Sequence, residues 1–117
     1  MTHSFKRSKR VGELIIREIS EMIVKGKIKD PRIDGVVLTD IRITDDLKNA
    51  TIYFTNYISH ENNDEVLIGL LSASKYIKRE LTKILRLKRI PDLTFKSDQI
   101  LETGYRIDRL LREEKLD

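Results

Sequence analysis

Apolar residues recur at i, i+3, i+4 and i+7 near the start of the chain: Val11, Leu14, Ile15, Ile19, Met22 and Ile23. That period is one side of an α-helix and predicts an amphipathic helix ended by Gly26. Lys27 to Gly35 reads as a connector, with a non-helical turn at Asp30-Pro31-Arg32. From Val36 to Thr44 the period drops to two. Val37, Ile41 and Ile43 take one face of a strand, and Asp40, Arg42 and Thr44 the other. Asp45 to Asn49 is a turn. Ala50, Ile52 and Phe54 then alternate with Thr51, Tyr53, Thr55 and Tyr57, which predicts an antiparallel hairpin.

Asn62 and Glu65 have the spacing of a capping box. A long helical pattern follows from Asp64 to Leu87, with Val66, Leu67, Leu70, Leu71, Ile77, Leu81, Ile84 and Leu85 in register. The small residues of Leu71-Ser72-Ala73-Ser74 interrupt it and suggest a bend or a tight crossing. Pro91 forbids its continuation. Leu93-Thr94-Phe95-Lys96 predicts a short strand, and Asp98 can cap a last helix striped by Ile100, Leu101, Ile107, Leu110 and Leu111. Gly104 inside that helix is either tolerated or marks close packing or a hinge. Residues 1–117 show no repeat and no domain boundary, so the expectation is one α+β domain, a three-stranded sheet with helices on one face.

Charge changes this picture most at Lys75 to Arg89. The stretch carries seven cations (Lys75, Lys78, Arg79, Lys83, Arg86, Lys88 and Arg89) against one acid, Glu80. At about 100° per residue, Ile77, Leu81, Ile84 and Leu85 share one side, with Lys75, Arg79, Lys83 and Arg86 opposite. Like charges at i, i+4 destabilise a helix, so a one-sign face points to an anionic partner, of which nucleic-acid phosphate is the commonest. Lys6, Arg7, Lys9 and Arg10 precede and enter the first helix, where cations oppose its dipole. They are either a flexible phosphate-binding arm or a solvated end. Lys25, Lys27, Lys29 and Arg32 around the connector are equally open between phosphate contact and a solvated loop. Net charge is +4, with the acids gathered elsewhere, as at Asp45, Asp46, Asp64 and Glu65.

Several chemistries find no support. The absence of Cys excludes a disulfide framework, a thiol nucleophile and a Cys-type zinc site. His3 and His60 have no companions at metal-binding or general-base spacing. Asp45-Asp46 is ordinary turn chemistry. No glycine-rich phosphate loop occurs. Neither a signal peptide nor a membrane span is visible. The expectation is a cytoplasmic, non-enzymatic monomer without cofactor or metal. Tyr53 and Tyr57 on an outward strand face either stack on bases or satisfy β-propensity and cross-strand pairing.

The order helix-strand-strand-helix-helix-strand, with an added C-terminal helix, is that of a type II KH-like fold. KH domains grip RNA through a GxxG loop between the two middle helices, and that junction here, Leu71-Ser72-Ala73-Ser74-Lys75, has none. Further wording narrows the match: Arg10-Val11, Asp30-Pro31-Arg32, Val37-Leu38-Thr39, Ile41-Arg42-Ile43-Thr44, Asp46-Leu47 with Ala50, Arg86 through Phe95, and Gly104-Tyr105-Arg106-Ile107-Asp108. In that order and spacing the chain resembles the ribosome-binding factor A family, bacterial assembly factors of the small ribosomal subunit. The family replaces GxxG with a helix kinked at Ala-x-Gly; here the positions are Ala73, Ser74 and Lys75, so a cation stands at the glycine.

The resemblance implies binding to immature small subunits through rRNA near the decoding region and the 5′-terminal helix. It also implies late rRNA processing, a role in cold growth, and release assisted by an assembly GTPase. The RNA-binding residues expected are the cations of Lys75 to Arg89 first, then Lys6, Arg7, Lys9 and Arg10. The alternatives are a generic single-stranded RNA or DNA binder using the strand face, and a protein-interaction module whose basic face meets an acidic partner.

Overall fold

The computed structural model describes residues 2–56 and 63–116, with the side chains of 2–6, 101–103, 105–106 and 113–116 left aside. Helix α1 spans Thr2–Val24, a 3₁₀ turn Pro31–Ile33, strand β1 Val36–Ile43 and β2 Asn49–Asn56. Helix α2 spans Asn63–Leu85, β3 Asp92–Ser97 and α3 Gln99–Leu116. The order is that of the expected KH-like α+β domain, with one helix where two middle helices were expected. Tyr57, His60 and Asn62, considered above for stacking, ligand or capping roles, lie outside the described residues.

Helix α1 begins at Thr2, so the N-terminal cations stand on a helix and not on a flexible arm. It ends as Gly26 predicts. Gly26 adopts φ 67, its N–H donates to the Ile23 carbonyl at 3.1 Å, and Lys27 N–H donates to that of Met22 at 3.0 Å. This is the Schellman pattern, which needs a left-handed residue.

The sheet order is β1-β2-β3, antiparallel then parallel. Helix α2 supplies the crossover that parallel pairing of β2 and β3 requires. One register differs from expectation. Val37 is 47% exposed and pairs with Thr55, while Val36 is buried. The pairing shifts between Leu38 and Asp40. This β-bulge at Thr39 lets Val36 and Leu38 before it, and Ile41 and Ile43 after it, all face the helices. The Thr39 hydroxyl donates to Asp98 at 2.7 Å, and Asp98 N–H donates to the Phe54 carbonyl at 2.7 Å. Asp98, expected only as a cap, thus also ties the end of β3 across the sheet.

Helix α1 lies over β1, α2 over β3 and β2, and the two helices touch. The core they close holds Val11, Ile15, Ile19 and Met22 of α1, Ile52, Phe54 and Phe95 of the sheet, and Val66, Leu70, Ile77 and Leu81 of α2. Gly69 brings α2 against the 3₁₀ turn: a Cβ there would sit 3.0 Å from Ile33 Cγ2.

The interruption expected at Ala73-Ser74-Lys75 does not divide the helix: α2 runs unbroken from Asn63 to Leu85. The Ser74 hydroxyl donates back to the Leu70 carbonyl at 3.1 Å, an i−4 bond that satisfies it within the helix. The helix stops before the predicted Leu87 because Arg86 turns left-handed, φ 50. Leu47 in the β1–β2 turn is likewise left-handed, φ 61. Neither is glycine, and such residues cost on the order of 1–3 kcal/mol each.

Two predicted stripes are less buried than expected. On α2, Leu71 and Ile84 are 53% and 49% exposed. On α3, Ile100, Ile107, Leu110 and Leu111 are exposed. Gly104 has open space where its Cβ would be, which removes the close-packing reading.

Candidate nucleic-acid interface

The inward face of α2 is set by Val66, Leu70, Ala73, Ile77 and Leu81, all buried at helical spacing. Burying these turns Lys75, Arg79 and Lys83 to solvent, one turn apart, with Arg86 exposed just past the helix end. The face is less uniformly free than its sequence. Lys83 Nζ lies 3.2 Å from Glu80, and Lys78 Nζ lies 2.8 Å from Asp92 at the start of β3. The Lys78 ammonium holds the Asp92 carboxyl below its ordinary range. Arg79 sits over the Tyr76 ring, 5.6 Å from its centroid, which leaves its charge available while fixing its stem. Among the described residues Lys75, Arg79 and Arg86 carry no ion pair. They are the cations of this face readiest to meet an outside anion.

The N-terminal cations divide. Arg7 faces a cavity of about 200 Å³ that it shares with Lys48 of the β1–β2 turn and with Lys88 and Arg89 of the loop after α2. Lys9 instead lines a groove of about 570 Å³ between α1 and β1, where Glu13, Asp40, Asp45 and Arg42 mix the charge. Arg42 there is already paired with Asp40 at 3.1 Å. Arg10 is exposed, and the Lys6 side chain is among those left aside. Arg7 near the start of α1 therefore meets the loop that follows α2, and cations far apart in sequence come to share one cavity. Helix α1 has no acid in its first turn, so the cations there oppose the dipole unanswered by its own residues.

Lys27 and Lys29 flank a third groove, about 340 Å³, against Ser72, Ala73 and Tyr76 in the middle of α2. This is the position a GxxG loop would occupy. Tyr53 is half-buried on the outer sheet face, opposite Asp40. Sequence reasoning missed Lys48. It is a lone cation in a turn, and only the meeting of three segments gives it company. Among the described residues no group of three or more His, Cys, Asp or Glu side chains is placed to hold a metal ion. No helix among them is long and apolar enough to cross a membrane.

The family model described as ribosome-binding factor A matches residues 7–111. The chain belongs to the ribosome-binding factor A family. Ribosome-binding factor A of Geobacter sulfurreducens is 47% identical over 93% of this chain and 92% of its own length. That of Streptococcus pneumoniae is 46% identical over 91% of each. Among solved structures, ribosome-binding factor A from Thermus thermophilus superposes with TM-score 0.67 at 21% identity, covering 77% of this chain and 93% of its own. A Thermus thermophilus ribosome-binding factor A homology model, fitted into a cryo-EM map of its complex with the 30S particle, matches with TM-score 0.59 at 22% identity, covering 73% of this chain and 88% of its own. The KH-like fold is shared with these structures, and the ribosome-binding factor A family is one of ribosome binders.

Proposed function

We propose that this chain is a non-enzymatic maturation factor that binds free or immature small ribosomal subunits through their rRNA. The observation that carries the reading is the meeting of Arg7 of α1, Lys48 of the β1–β2 turn, and Lys88 and Arg89 of the loop after α2 around one cavity, in a family of ribosome-binding factors. Lys75, Arg79 and Arg86 provide the first phosphate contacts, followed by Lys88, Arg89, Arg7 and Arg10; Lys78 and Lys83 contribute less because each already has a carboxylate partner. Phosphate contacts position a protein without reading bases. Selectivity for the region near the decoding site and the 5′-terminal helix then comes from the folded shape of the rRNA. Holding that shape shifts the population toward one rRNA conformer by differential binding. On this reading the factor acts in the cytoplasm, late in rRNA processing and during growth in the cold, with its release assisted by an assembly GTPase.

The test is co-sedimentation of the full chain with free small subunits, mature ribosomes and protein-free RNA across a salt series. Reversing Lys75, Arg79 and Arg86 to Glu should weaken subunit binding. It should also flatten the plot of log affinity against log salt by about 0.7–0.9 for each phosphate no longer neutralised. Unchanged affinity and slope would remove this face from the interface. A complex with an acidic protein that survives nuclease would replace RNA as the partner.

A further inference from the structure

The small cavity that these cations share has a construction that phosphate contact alone does not require. Its rim carries four cations, Arg7, Lys48, Lys88 and Arg89, from three separate segments of the chain, and one acid, Asp46. Its floor is apolar, made by Val11, Leu87 and Pro91 with Leu47 at the edge. Val11 and Pro91 are buried, and Leu47 and Leu87 pack on the core, so the floor is firm. The two loops that frame it are tied together. Asp92 N–H donates to the Lys48 carbonyl at 2.9 Å. Asp46 Oδ1 accepts from the Thr44 hydroxyl at 2.6 Å and from Lys48 N–H at 3.0 Å. Each loop also holds its left-handed residue, Leu47 or Arg86. Left-handed non-glycine backbone gathers where a site is pre-organised.

We infer that this cavity seats one unpaired nucleotide of RNA, its phosphate on the cationic rim and its base against the apolar floor. A solvated cluster of cations needs no apolar floor, and a duplex offers none of its stacked base faces to one. The volume of about 200 Å³ equals some six or seven waters at about 30 Å³ each. That is room for one base, and far too little for a base pair. Unpaired bases splayed onto protein surfaces are the usual targets of specific RNA recognition. The site is separate from the middle of α2, where a GxxG loop would act, since none of its residues belongs to that helix. The inference rests on the rRNA-binding function proposed above and adds a preference for single-stranded RNA at one point of contact.

The experiment is a backbone-amide NMR titration of the full chain with three probes: a six-nucleotide single-stranded RNA, a hairpin duplex, and inorganic phosphate. Single-stranded RNA should shift the amides of Leu47, Lys48, Leu87 and Lys88. The duplex should shift those of Lys75 and Arg79 and leave the cavity unchanged. The double variant Lys48→Gln, Lys88→Gln should bind the single strand at least about fivefold more weakly, with a salt slope lower by about 0.7 for each cation that met a phosphate. An unchanged far-UV spectrum and melt for that variant keeps the result interpretable. Equal shifts from duplex and single strand, the same shifts from inorganic phosphate, or none at the cavity with any probe would each overturn the nucleotide site. Wild-type protein that still sediments with free subunits in those cases leaves the proposed function intact. Failure to bind subunits or either RNA would sink both.

Discussion

Replacing Gly69 by Ala separates two effects that usually travel together. In an open helix the change gains about 1 kcal/mol of helix propensity. Here the new Cβ would stand 3.0 Å from Ile33 Cγ2, 3.2 Å from Arg32 Cβ and 3.4 Å from Asp30 Oδ2. None of these neighbours moves freely. Ile33 is 1% exposed, and Arg32 holds Asp30 through side-chain bonds of 2.6, 2.9 and 3.1 Å. The methyl must push the whole 3₁₀ turn off α2. Overpacking of this kind costs about 1–3 kcal/mol, so the net loss should be about 1 kcal/mol. With about 2.1 cal/mol/K of unfolding entropy per residue and 117 residues, that lowers Tm by about 4 °C. Gly12→Ala is the control. Its Cβ also meets a methyl at 3.0 Å, that of Ile41, but Ile41 is half-buried on an edge strand beside the bulge and can give way. Its Tm should hold or rise by up to about 4 °C on the propensity gain. Circular dichroism melts of both variants decide the matter. A Gly69→Ala protein melting at or above wild type, or a Gly12→Ala protein falling further than it, would refute the reasoning.

Two other outcomes are expected. Lys78→Ala should weaken rRNA binding less than Lys75→Ala does, because Lys78 is already engaged by Asp92; filter binding at one salt concentration ranks them, and the reverse order would mean the ion pair opens on RNA. The carboxyls of Asp30, Asp46 and Asp92 all sit below their ordinary 3.8, through bonds from Arg32, from the Thr44 hydroxyl and Lys48 N–H, and from Lys78 respectively. A depressed folded value means stability that is complete above the unfolded value and lost as pH falls through the folded one, so Tm should be level near neutrality and drop below about pH 4. Asp46→Asn should lower Tm near neutrality and flatten that acid drop; an acid profile identical to wild type would show that Asp46 does not take part.

Element order and the α1 core face could be read directly, because periodicity is local and Val11, Ile15, Ile19 and Met22 obey it. The β1 register could not. Val36 and Leu38 alternate as well as Val37 and Ile41 do, and only pairing with β2 reveals that the strand changes phase at Thr39. The interruption at Ala73-Ser74-Lys75 misleads for a related reason. Small residues permit a break without requiring one, and the Ser74 hydroxyl finds its acceptor inside the helix. Lys75, Arg79 and Arg86 are visible as a face in the sequence, yet the demotion of Lys78 and Lys83 and the recruitment of Lys48 depend on partners brought in by the fold.

The unbroken α2 has a metric consequence. At about 1.5 Å of rise per residue, the stretch from Ala73 to Leu85 is a stiff rod of about 18 Å. One end lies at the groove beside Lys27 and Lys29, and the other leads into the cavity beside Lys88 and Arg89. A hinged pair of helices would let those two ends adjust to whatever RNA lay across them. A single rod holds them at a constant span, so on the rRNA-binding function proposed above it would work as a gauge: RNA whose backbone bridges that distance would engage both ends at once, and RNA folded to another spacing would touch only one.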